Sequence, residues 1–346
     1  MRQPHPTSAR RLSRLLACHA APSLGLLSGL GQLGMPAHRA ANLEEHVRAH
    51  AMPADGAVAR VSQLLSGVEH GLITADEACA IAEGQPEFLR REFGTVLETD
   101  ELVVLNKPWD VRLSLDAGQP RWAGERSVQQ YLLERHPLTA TAEGTVRLCH
   151  NLDFATSGLL VAAKSRQAAA DVSRCFAERT ASKLYLALVH GHPEWEAATW
   201  DARIMTSQRR FKQRVSPGGK VARTEATVAA RGVLRAGEHV GAPASLLWLQ
   251  PHTGRRHQLR LHCAHAGHAI VGDYTYAGDR LGYRTMLHAA ALSLPLRVAP
   301  PLSALAPLTP AAWADAFEPC EAARGPAREG AGEAWDGVAG LLLRAL

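Results

Sequence analysis

Three short segments of the chain carry side chains that could support catalysis. The first, residues 150–160 (HNLDFATSGLL), places Asp153 in a polar turn directly before an apolar run. A carboxylate can act as the nucleophile in covalent catalysis, but an acid followed by Thr, Ser and Gly is also typical of a turn or a helix cap. Both interpretations of Asp153 are open from this segment alone.

The other two segments supply a phenol and a guanidinium. The segment KLYLA places Tyr185 on an alternating strand, on the face opposite to Leu184 and Leu186. The segment TGRRHQLRLH contains Arg260, and a guanidinium can pair with a carboxylate without losing its own charge. The structural alternatives are a strand aromatic that packs on a sheet and a solvated arginine at the end of a strand.

A run of cations without any acid lies between Ala202 and Thr224, broken by one aromatic residue and by Pro217-Gly218-Gly219. Such a run is usually a solvated surface, but in a nucleic-acid-binding protein it is typical of a surface that contacts the phosphate backbone. The cations are Arg203, Arg209, Arg210, Lys212, Arg214, Lys220 and Arg223.

A group of histidines raises a metal site as an alternative of a different class. The segment lacks the second ligand pair that a zinc finger requires, and we therefore expect no metal. Stoichiometric zinc in the purified protein would favour the alternative. The members of the group are His252, His257, His262, His265, His268 and Cys263.

The elements that must position these residues predict an α+β fold. Two helices are expected after the capping residues Ser127 and Ser165. Strands and helices are mixed without a regular βαβ rhythm, which favours an α+β sheet over a doubly wound one. The predicted strands are residues 95–98, 102–106, 159–163, 183–190, 226–230, 245–249 and 258–262.

Composition excludes several classes of protein. Hydrophobic residues make up 46% of the 346 residues and charged residues 21%, which provides enough apolar material for a core and excludes disorder throughout. The net charge of +5 indicates a polyanionic partner only if it is concentrated on one surface. Six cysteines without a C-x-x-C pair are typical of reduced thiols in an intracellular protein. No apolar stretch is long enough to predict a membrane span.

In their order and spacing, the three segments resemble those of the RluA-type RNA pseudouridine synthases. That family has an H-R-L-D-x-x-T-S-G-L-L segment, then K-x-Y-x-A, then T-G-R-x-H-Q-I/L-R. The resemblance extends over about residues 93–317. It includes Asn106-Lys107-Pro108, residues 220–225, residues 267–270, Gly272-Asp273 and Leu287-His288-Ala289.

The resemblance implies a mixed, mostly antiparallel sheet with flanking helices and a central cleft. It implies an enzyme that isomerises uridine to pseudouridine in structured rRNA or tRNA after flipping the base. Asp153 would be the catalytic carboxylate, Tyr185 would stack on the uracil and accept a proton, and Arg260 would pair with Asp153. Because the isomerisation gains and loses no atoms, we expect no redox cofactor, nucleotide or metal.

One residue departs from the family pattern. Asn151 stands where the family has an arginine that helps to extrude the target base. A catalytically inactive RNA-binding protein with the same fold is therefore the alternative function. The residues expected to bind substrate or RNA are His150, Asn151, Thr156, Arg209, Arg210, Lys212, Arg214, Arg255, His257 and Gln258.

Four segments are expected along the chain. Residues 1–43 contain five arginines before the first acid, which predicts a transit peptide for a mitochondrion or plastid. The alternatives are a secretory signal, or a disordered start in a protein of the cytoplasm or nucleus. Residues 44–91 are expected to form a small helical extension, residues 92–318 the catalytic domain, and residues 319–346 a tail with a short helix. The oligomeric state is not indicated.

Overall fold

The chain divides into two compact units in the computed structural model. Residues 1–92 and 115–126 form the first unit, and residues 93–114 and 127–346 form the second. The predicted transit peptide, helical extension and C-terminal tail lie largely outside the described residues. The structure describes residues 28–32, 35, 37, 40–41, 61, 75, 78–79, 93–109, 111–114, 127–136, 146–206, 212–235, 240–278, 285–306 and 316–320.

The second unit contains the strands and helices that carry the candidate residues. Its strands are β1 (Gly94–Glu98), β2 (Leu102–Lys107), β3 (Arg147–Leu148), β4 (Ser157–Ala163), β5 (Ser182–His190), β6 (Ala197–Trp200), β7 (Ile204–Thr206), β8 (Gln213–Val215), β9 (Thr224–Leu234), β10 (Pro243–Pro251), β11 (Leu287–Leu294), β12 (Leu302–Leu305) and β13 (Phe317–Pro319). Its helices are α1 (Val128–Arg135), α2 (Arg166–Ala177), α3 (Gln258–His265) and α4 (Tyr274–Ala277).

One large sheet runs through this unit in the order β1-β2-β4-β11-β5-β10-β9-β13, and β3, β6 and β12 pair with β4, β9 and β11. Its strand pairs are antiparallel except for β4 with β11, which are parallel. Strands β7 and β8 form a separate antiparallel hairpin. The predicted mixed, mostly antiparallel α+β sheet is therefore confirmed.

Strand β4 is covered on both faces by helices, and all of its residues are buried. Leu159 packs in one core with Val172 of α2, whereas Leu160 packs in another core with Leu132 of α1. Because successive side chains of a strand point to opposite faces, a continuous apolar run is what a strand between two layers requires. The turn that precedes β4 is thus joined to a rigid element.

The helix starts follow the predicted caps. The Ser127 hydroxyl accepts a hydrogen bond from the backbone N–H of Gln130, and the Gln130 side chain accepts one from the backbone N–H of Ser127. The Ser165 hydroxyl accepts one from the backbone N–H of Ala168. These bonds satisfy backbone donors that have no partner within the helix.

The prediction of a strand at residues 258–262 is wrong, because this segment lies in helix α3. The alternation Leu-Arg-Leu is too short to distinguish a strand from a helix turn. In the structure Leu259 and Cys263, four residues apart, pack in the same core below the sheet strands β5 and β10. That spacing is the helical one, so tertiary packing decided between the two patterns.

Gly158 lies where β4 approaches β11 most closely. Its φ of +110° is in the region that favours glycine, and a Cβ atom there would lie 2.6 Å from the backbone nitrogen of Ala289 and would overlap the Ala289 carbonyl oxygen. Ala289 is its partner in the parallel pairing. The absence of a side chain at residue 158 is therefore a condition for inserting β11 beside β4.

We expect Gly158→Ala to lower the free energy of unfolding by at least about 2 kcal/mol, because both the overlap and the left-handed backbone oppose the methyl group. Gly94→Ala in β1 is the matched control, since its Cβ would lie an ordinary 3.5 Å from Asn106; its effect should stay within about 0.5 kcal/mol. Urea denaturation measures both. Equal stability of the two variants would contradict the close approach.

His150 connects the segment after β3 to β4. Its Nε2 accepts a hydrogen bond of 3.0 Å from the backbone N–H of Val161, and its ring lies 4.8 Å from that of Phe176 on α2. Burial lowers the pKa of His150 to about 4, so the imidazole is neutral at physiological pH. Protonation would remove the lone pair that Val161 uses.

The pH dependence of stability should reveal this contact. Because the folded pKa is lower than the ordinary 6.5, the unfolded chain binds a proton that the folded chain does not, and stability falls as pH drops from 6.5 towards about 4. His150→Gln keeps an acceptor but does not titrate. We expect it to remove up to about 3 kcal/mol of this dependence in urea denaturation across that range. Superimposable pH profiles of the two proteins would exclude the contact.

Candidate active site

Asp153 lies in a tight turn immediately before β4. The backbone N–H of Thr156 donates a hydrogen bond of 3.1 Å to the backbone carbonyl of Asp153, which closes the turn. The Asp153 side chain is 25% exposed, whereas Thr156 and Ser157, the residues that lead into the strand, are buried. The Asp153 carboxylate is therefore partly exposed to solvent, while the residues that follow it are buried.

The ammonium of Lys107 holds this turn from the inside of the domain. Lys107 is fully buried at the end of β2, and its Nζ donates hydrogen bonds to the backbone carbonyls of Pro108 (2.8 Å), Val111 (3.1 Å) and Phe154 (3.1 Å). Phe154 is the neighbour of Asp153. Because a buried ammonium requires such acceptors, the segment after β2 and the Asp153 turn are fixed relative to each other.

Arg260 of α3 lies beside Asp153, but its hydrogen bonds go to another acid. Its Nε donates to Asp273 Oδ2 at 2.7 Å and its Nη2 to Asp273 Oδ1 at 2.8 Å. The distance from Arg260 Nη1 to Asp153 Oδ2 is 3.8 Å, which is an ion pair without a hydrogen bond. The expected ion pair of Arg260 and Asp153 is present, and Asp273 is a second acid that binds the same guanidinium.

The two neighbouring acids, Asp273 and Asp153, keep the Arg260 guanidinium charged. Burial opposes its positive charge, but the hydrogen bonds of Asp273 and the negative charges of Asp273 and Asp153 outweigh burial and raise the pKa of Arg260. The guanidinium is therefore a permanent cation in the wall of the site. A lysine could not reproduce its planar, two-point pairing with Asp273.

Asp273 was given no role by the sequence analysis, although Gly272-Asp273 belongs to the resemblance. Besides Arg260, its Oδ1 accepts hydrogen bonds from the backbone N–H groups of Thr275 (3.0 Å) and Tyr276 (3.2 Å) at the start of α4. An Asp just before a short helical turn is a recognisable cap signal. Its second partner, on α3, follows only from the tertiary structure.

Tyr185 of β5 lies in the middle of the sheet, between Leu249 of β10 and Ala289 of β11. It is half-buried and packs against two hydrophobic cores. Burial raises the pKa of Tyr185, and the negative charge of Asp153 raises it further. The phenol is therefore neutral, and it lies within the electrostatic field of Asp153.

His257 and Tyr276 complete the surroundings of Arg260. The Tyr276 hydroxyl lies 2.8 Å from His257 Nδ1 and accepts a hydrogen bond of 3.0 Å from the backbone N–H of Gln213 in β8. The Tyr276 ring lies 5.2 Å from the Arg260 guanidinium carbon. His257 has a φ of 55°, a strained value for a residue with a side chain, and burial lowers its pKa while Asp153 opposes that shift.

Gln258 has a different place from the one expected of an RNA-binding residue. Its Nε2 donates to the Arg223 carbonyl and the Thr224 hydroxyl, at 2.9 and 3.0 Å. Its Oε1 accepts from the Thr253 hydroxyl and the backbone N–H of Arg255, at 2.7 and 3.0 Å. These four bonds use the whole capacity of the amide. Gln258 therefore connects α3 to β9 and to the preceding loop.

The expected residues around Asp153 differ in their surroundings. Asn151 is exposed, and Thr156 is buried in the turn. His150 contacts β4 and α2, as described for the fold: its ring bonds to the Val161 N–H and lies beside Phe176.

The cationic residues of the β7–β8 hairpin and the α3 loop are accessible. Lys212 and Arg214 are exposed. Arg255 is half-buried, and its Nε donates to the Val221 carbonyl at 2.9 Å. Arg209 and Arg210, predicted to bind RNA, lie outside the described residues.

Four of the five histidines considered as metal ligands contact protein groups. Within the parts of the chain that the structure describes, no cluster of three or more His, Cys, Asp or Glu side chains could hold a metal ion. The partners of the histidines are the Glu225 carboxylate for His252, the Tyr276 hydroxyl for His257, the Thr224 hydroxyl and Ala202 carbonyl for His262, and the His190 carbonyl for His268.

None of the helices among the described residues has the length and hydropathy of a membrane span.

Known proteins are similar to this chain in sequence. The sequence profile of the family described as RNA pseudouridylate synthase matches residues 101–265. RNA pseudouridylate synthase domain-containing protein 1 of Danio rerio is 38% identical over 216 residues, which cover 59% of this chain and 70% of that protein. The dual-specificity RNA pseudouridine synthase RluA of Vibrio vulnificus is 35% identical over 204 residues, 57% of this chain and 76% of the relative.

A solved structure supports the same assignment. The human RNA pseudouridylate synthase domain containing 1 matches with a TM-score of 0.56 and 30% identity, over 74% of this chain and 96% of the human one. Sequence identity, coverage of the relatives and the shared fold agree. The chain therefore belongs to the RluA-type RNA pseudouridine synthase family, whose members are isomerases that act on RNA.

Proposed function

We propose that this protein isomerises uridine to pseudouridine in structured ribosomal or transfer RNA, with Asp153 as the catalytic carboxylate. The observation that carries the proposal is the convergence of three side chains from distant parts of the chain. The Asp153 carboxylate lies 3.8 Å from the Arg260 guanidinium, and Tyr185 packs against the hydrophobic core that contains Leu152, the neighbour of Asp153. An acid, a cation and an aromatic ring in one wall suit a charged nucleophile beside a flat base.

The arrangement supports covalent catalysis. In the reaction the bond between ribose C1′ and uracil N1 breaks, the base turns, C1′ bonds to C5, and the proton on C5 leaves while N1 gains one. Asp153 can attack either C1′ or the uracil ring and depart when the new bond forms. Because Arg260 gives its hydrogen bonds to Asp273, both Asp153 oxygens are available to the substrate.

The raised pKa of Tyr185 makes this residue better suited to stacking on the base than to abstracting a proton. A neutral phenol with a raised pKa is a poor general base, since the best catalytic bases have pKa values near the working pH. Its ring can still stack on a flipped uracil, and such stacking contributes roughly 1–3 kcal/mol per base. Proton acceptance by Tyr185 would require that its own proton leave in the same step.

Extruding the base from folded RNA costs roughly a few kcal/mol. Stacking on Tyr185 offsets only some of this free energy. We attribute the rest of the compensation to contacts between the protein and the RNA backbone. Lys212 and Arg214 on the β7–β8 hairpin are exposed cations that suit phosphate, and Arg209 and Arg210 extend the run in sequence. Asn151, exposed two residues before Asp153, can hydrogen-bond to RNA but supplies no charge.

The kind of RNA is left open within the proposal. The Vibrio vulnificus relative is named a dual-specificity synthase, and that name does not choose between ribosomal and transfer RNA. Structured RNA of either kind presents uridines in loops that a cationic surface can bind by shape.

Replacement of the nucleophile tests the proposal directly. We expect Asp153→Asn and Asp153→Ala to reduce tritium release from RNA containing 5-tritiated uridine by at least about 1000-fold, because each variant lacks the carboxylate that we propose as the nucleophile. RNA affinity should change by less than about threefold, because most of it comes from cations that contact phosphate and a carboxylate does not attract phosphate. Asp100→Asn, in the exposed turn between β1 and β2, is the matched control and should retain activity.

The outcomes separate the candidate functions. Activity that persists in an Asp153 variant would refute the role of the carboxylate. RNA binding by the wild-type protein without tritium release from total rRNA or tRNA would favour the inactive RNA-binding protein instead.

A charge-reversal variant tests the hairpin. Replacing Arg209, Arg210 and Arg214 with Glu should weaken RNA binding and reduce the slope of log affinity against log salt by up to about 2 to 3, because contacts with phosphate release counterions.

A control changes three exposed arginines elsewhere to the same net extent: Arg166 on α2, Arg235 after β9 and Arg297 after β11. If both triple variants bind equally well, the hairpin is an ordinary solvated surface.

A further inference from the structure

Tyr276 lies at a junction between the cationic hairpin and the active site. Its hydroxyl accepts a hydrogen bond from the backbone N–H of Gln213 in the hairpin and lies 2.8 Å from His257 Nδ1. Its ring lies against the Arg260 guanidinium, with 5.2 Å between the ring centre and the guanidinium carbon. A tyrosine that served only as packing would need none of these three polar contacts.

The hairpin end of this junction is well defined. Gln213 is buried, and its Oε1 accepts a hydrogen bond of 3.2 Å from the Thr206 hydroxyl, which connects β8 to β7. Its neighbours Lys212 and Arg214 are exposed. The Tyr276 hydroxyl therefore binds the backbone of the hairpin between the two cations that we propose to contact phosphate.

The active-site end is defined by one carboxylate. Asp273 binds the Arg260 guanidinium with both oxygens, and its Oδ1 also accepts the backbone N–H of Tyr276. The positions of Arg260 and Tyr276 are thus set by the same acid. A cation on the face of an aromatic ring is stabilised more strongly when the cation is removed from water, and Arg260 is buried.

We propose that Tyr276 is a positioning residue that couples the β7–β8 hairpin to the Arg260–Asp153 pair. Its hydroxyl fixes the hairpin for RNA binding, and its ring fixes the guanidinium beside the nucleophile. The inference rests on the proposed function and adds separate roles for the hydroxyl and the ring of one side chain. Loss of the hydroxyl and loss of the ring should therefore have different kinetic effects.

Two substitutions separate these effects. Tyr276→Phe removes the hydroxyl but keeps the ring, so KM for RNA should rise by about 2- to 10-fold, the range of one hydrogen bond. The single-turnover rate at saturating RNA should stay within about twofold of the wild-type rate. Tyr276→Leu removes the ring as well and should lower that rate by about 10-fold. Tyr131→Phe, which removes a hydroxyl that donates to the Phe93 carbonyl, is the matched control for both parameters.

A double-mutant cycle shows whether the hydroxyl acts through the hairpin. If it does, Tyr276→Phe should weaken RNA binding less in an Arg214→Ala background than in the wild type, because the hairpin contact is already lost. Additive effects in this cycle, or an unchanged KM in Tyr276→Phe, would overturn the proposal. Equal single-turnover rates for the Phe and Leu variants would overturn the role of the ring.

The readouts also separate this proposal from the proposed function. A wild-type protein that binds RNA without releasing tritium would remove the isomerase activity, while the cycle on RNA affinity would still test the coupling of Tyr276 to the hairpin. An active wild type with an additive cycle would leave the isomerase intact and remove the coupling. Thermal melting of each variant sets an assay temperature at which all of them are folded.

Discussion

The buried ion pair between Arg260 and Asp273 is the interaction on which the site depends. A guanidinium that is 6% exposed would be strongly destabilising without a partner, and Asp273, also buried, supplies one through two hydrogen bonds. The pair leaves Asp153 as a second acid beside a cation that is already satisfied. The Asp153 carboxylate lies 3.8 Å from the Arg260 guanidinium and accepts no hydrogen bond from it.

A second polar network holds α3 against the sheet. Gln258 donates to Thr224, whose hydroxyl also contacts His262, and His262 reaches the Ala202 carbonyl just before the hairpin. Buried networks of this kind are stabilising only when every member is satisfied, as each of these side chains is. Part of the segment that resembles the family motif therefore serves to place the helix that carries Arg260.

Sequence patterns predicted the parts of the fold that local chemistry determines. The caps at Ser127 and Ser165 and the strands around Tyr185 follow from hydrogen-bonding capacity and alternation over a few residues. The helix at residues 258–265 was missed because a few residues of alternation carry little information about period. The local pattern could not separate a strand there from a helix whose apolar side faces the core.

The site shows the same limit at longer range. Order and spacing of the motifs indicated Asp153, Tyr185 and Arg260, but not Asp273 and Tyr276, which lie against the Arg260 guanidinium. Asp273 is a helix cap by its sequence and a partner of Arg260 only by the fold, and Tyr276 has no distinguishing local signal at all. Gln258 shows the reverse error, since a polar residue within a motif was expected to face RNA and proved to be satisfied internally.

The position of β11 has a consequence for how the enzyme is made. The turn with Asp153 leads into β4 and Tyr185 lies on β5, yet β11, a late strand in the chain, is inserted between these two. During synthesis on the ribosome, β4 and β5 emerge long before their common neighbour. The part of the sheet that joins the Asp153 turn to Tyr185 can therefore form only after the residues of β11, up to Leu294, have left the exit tunnel.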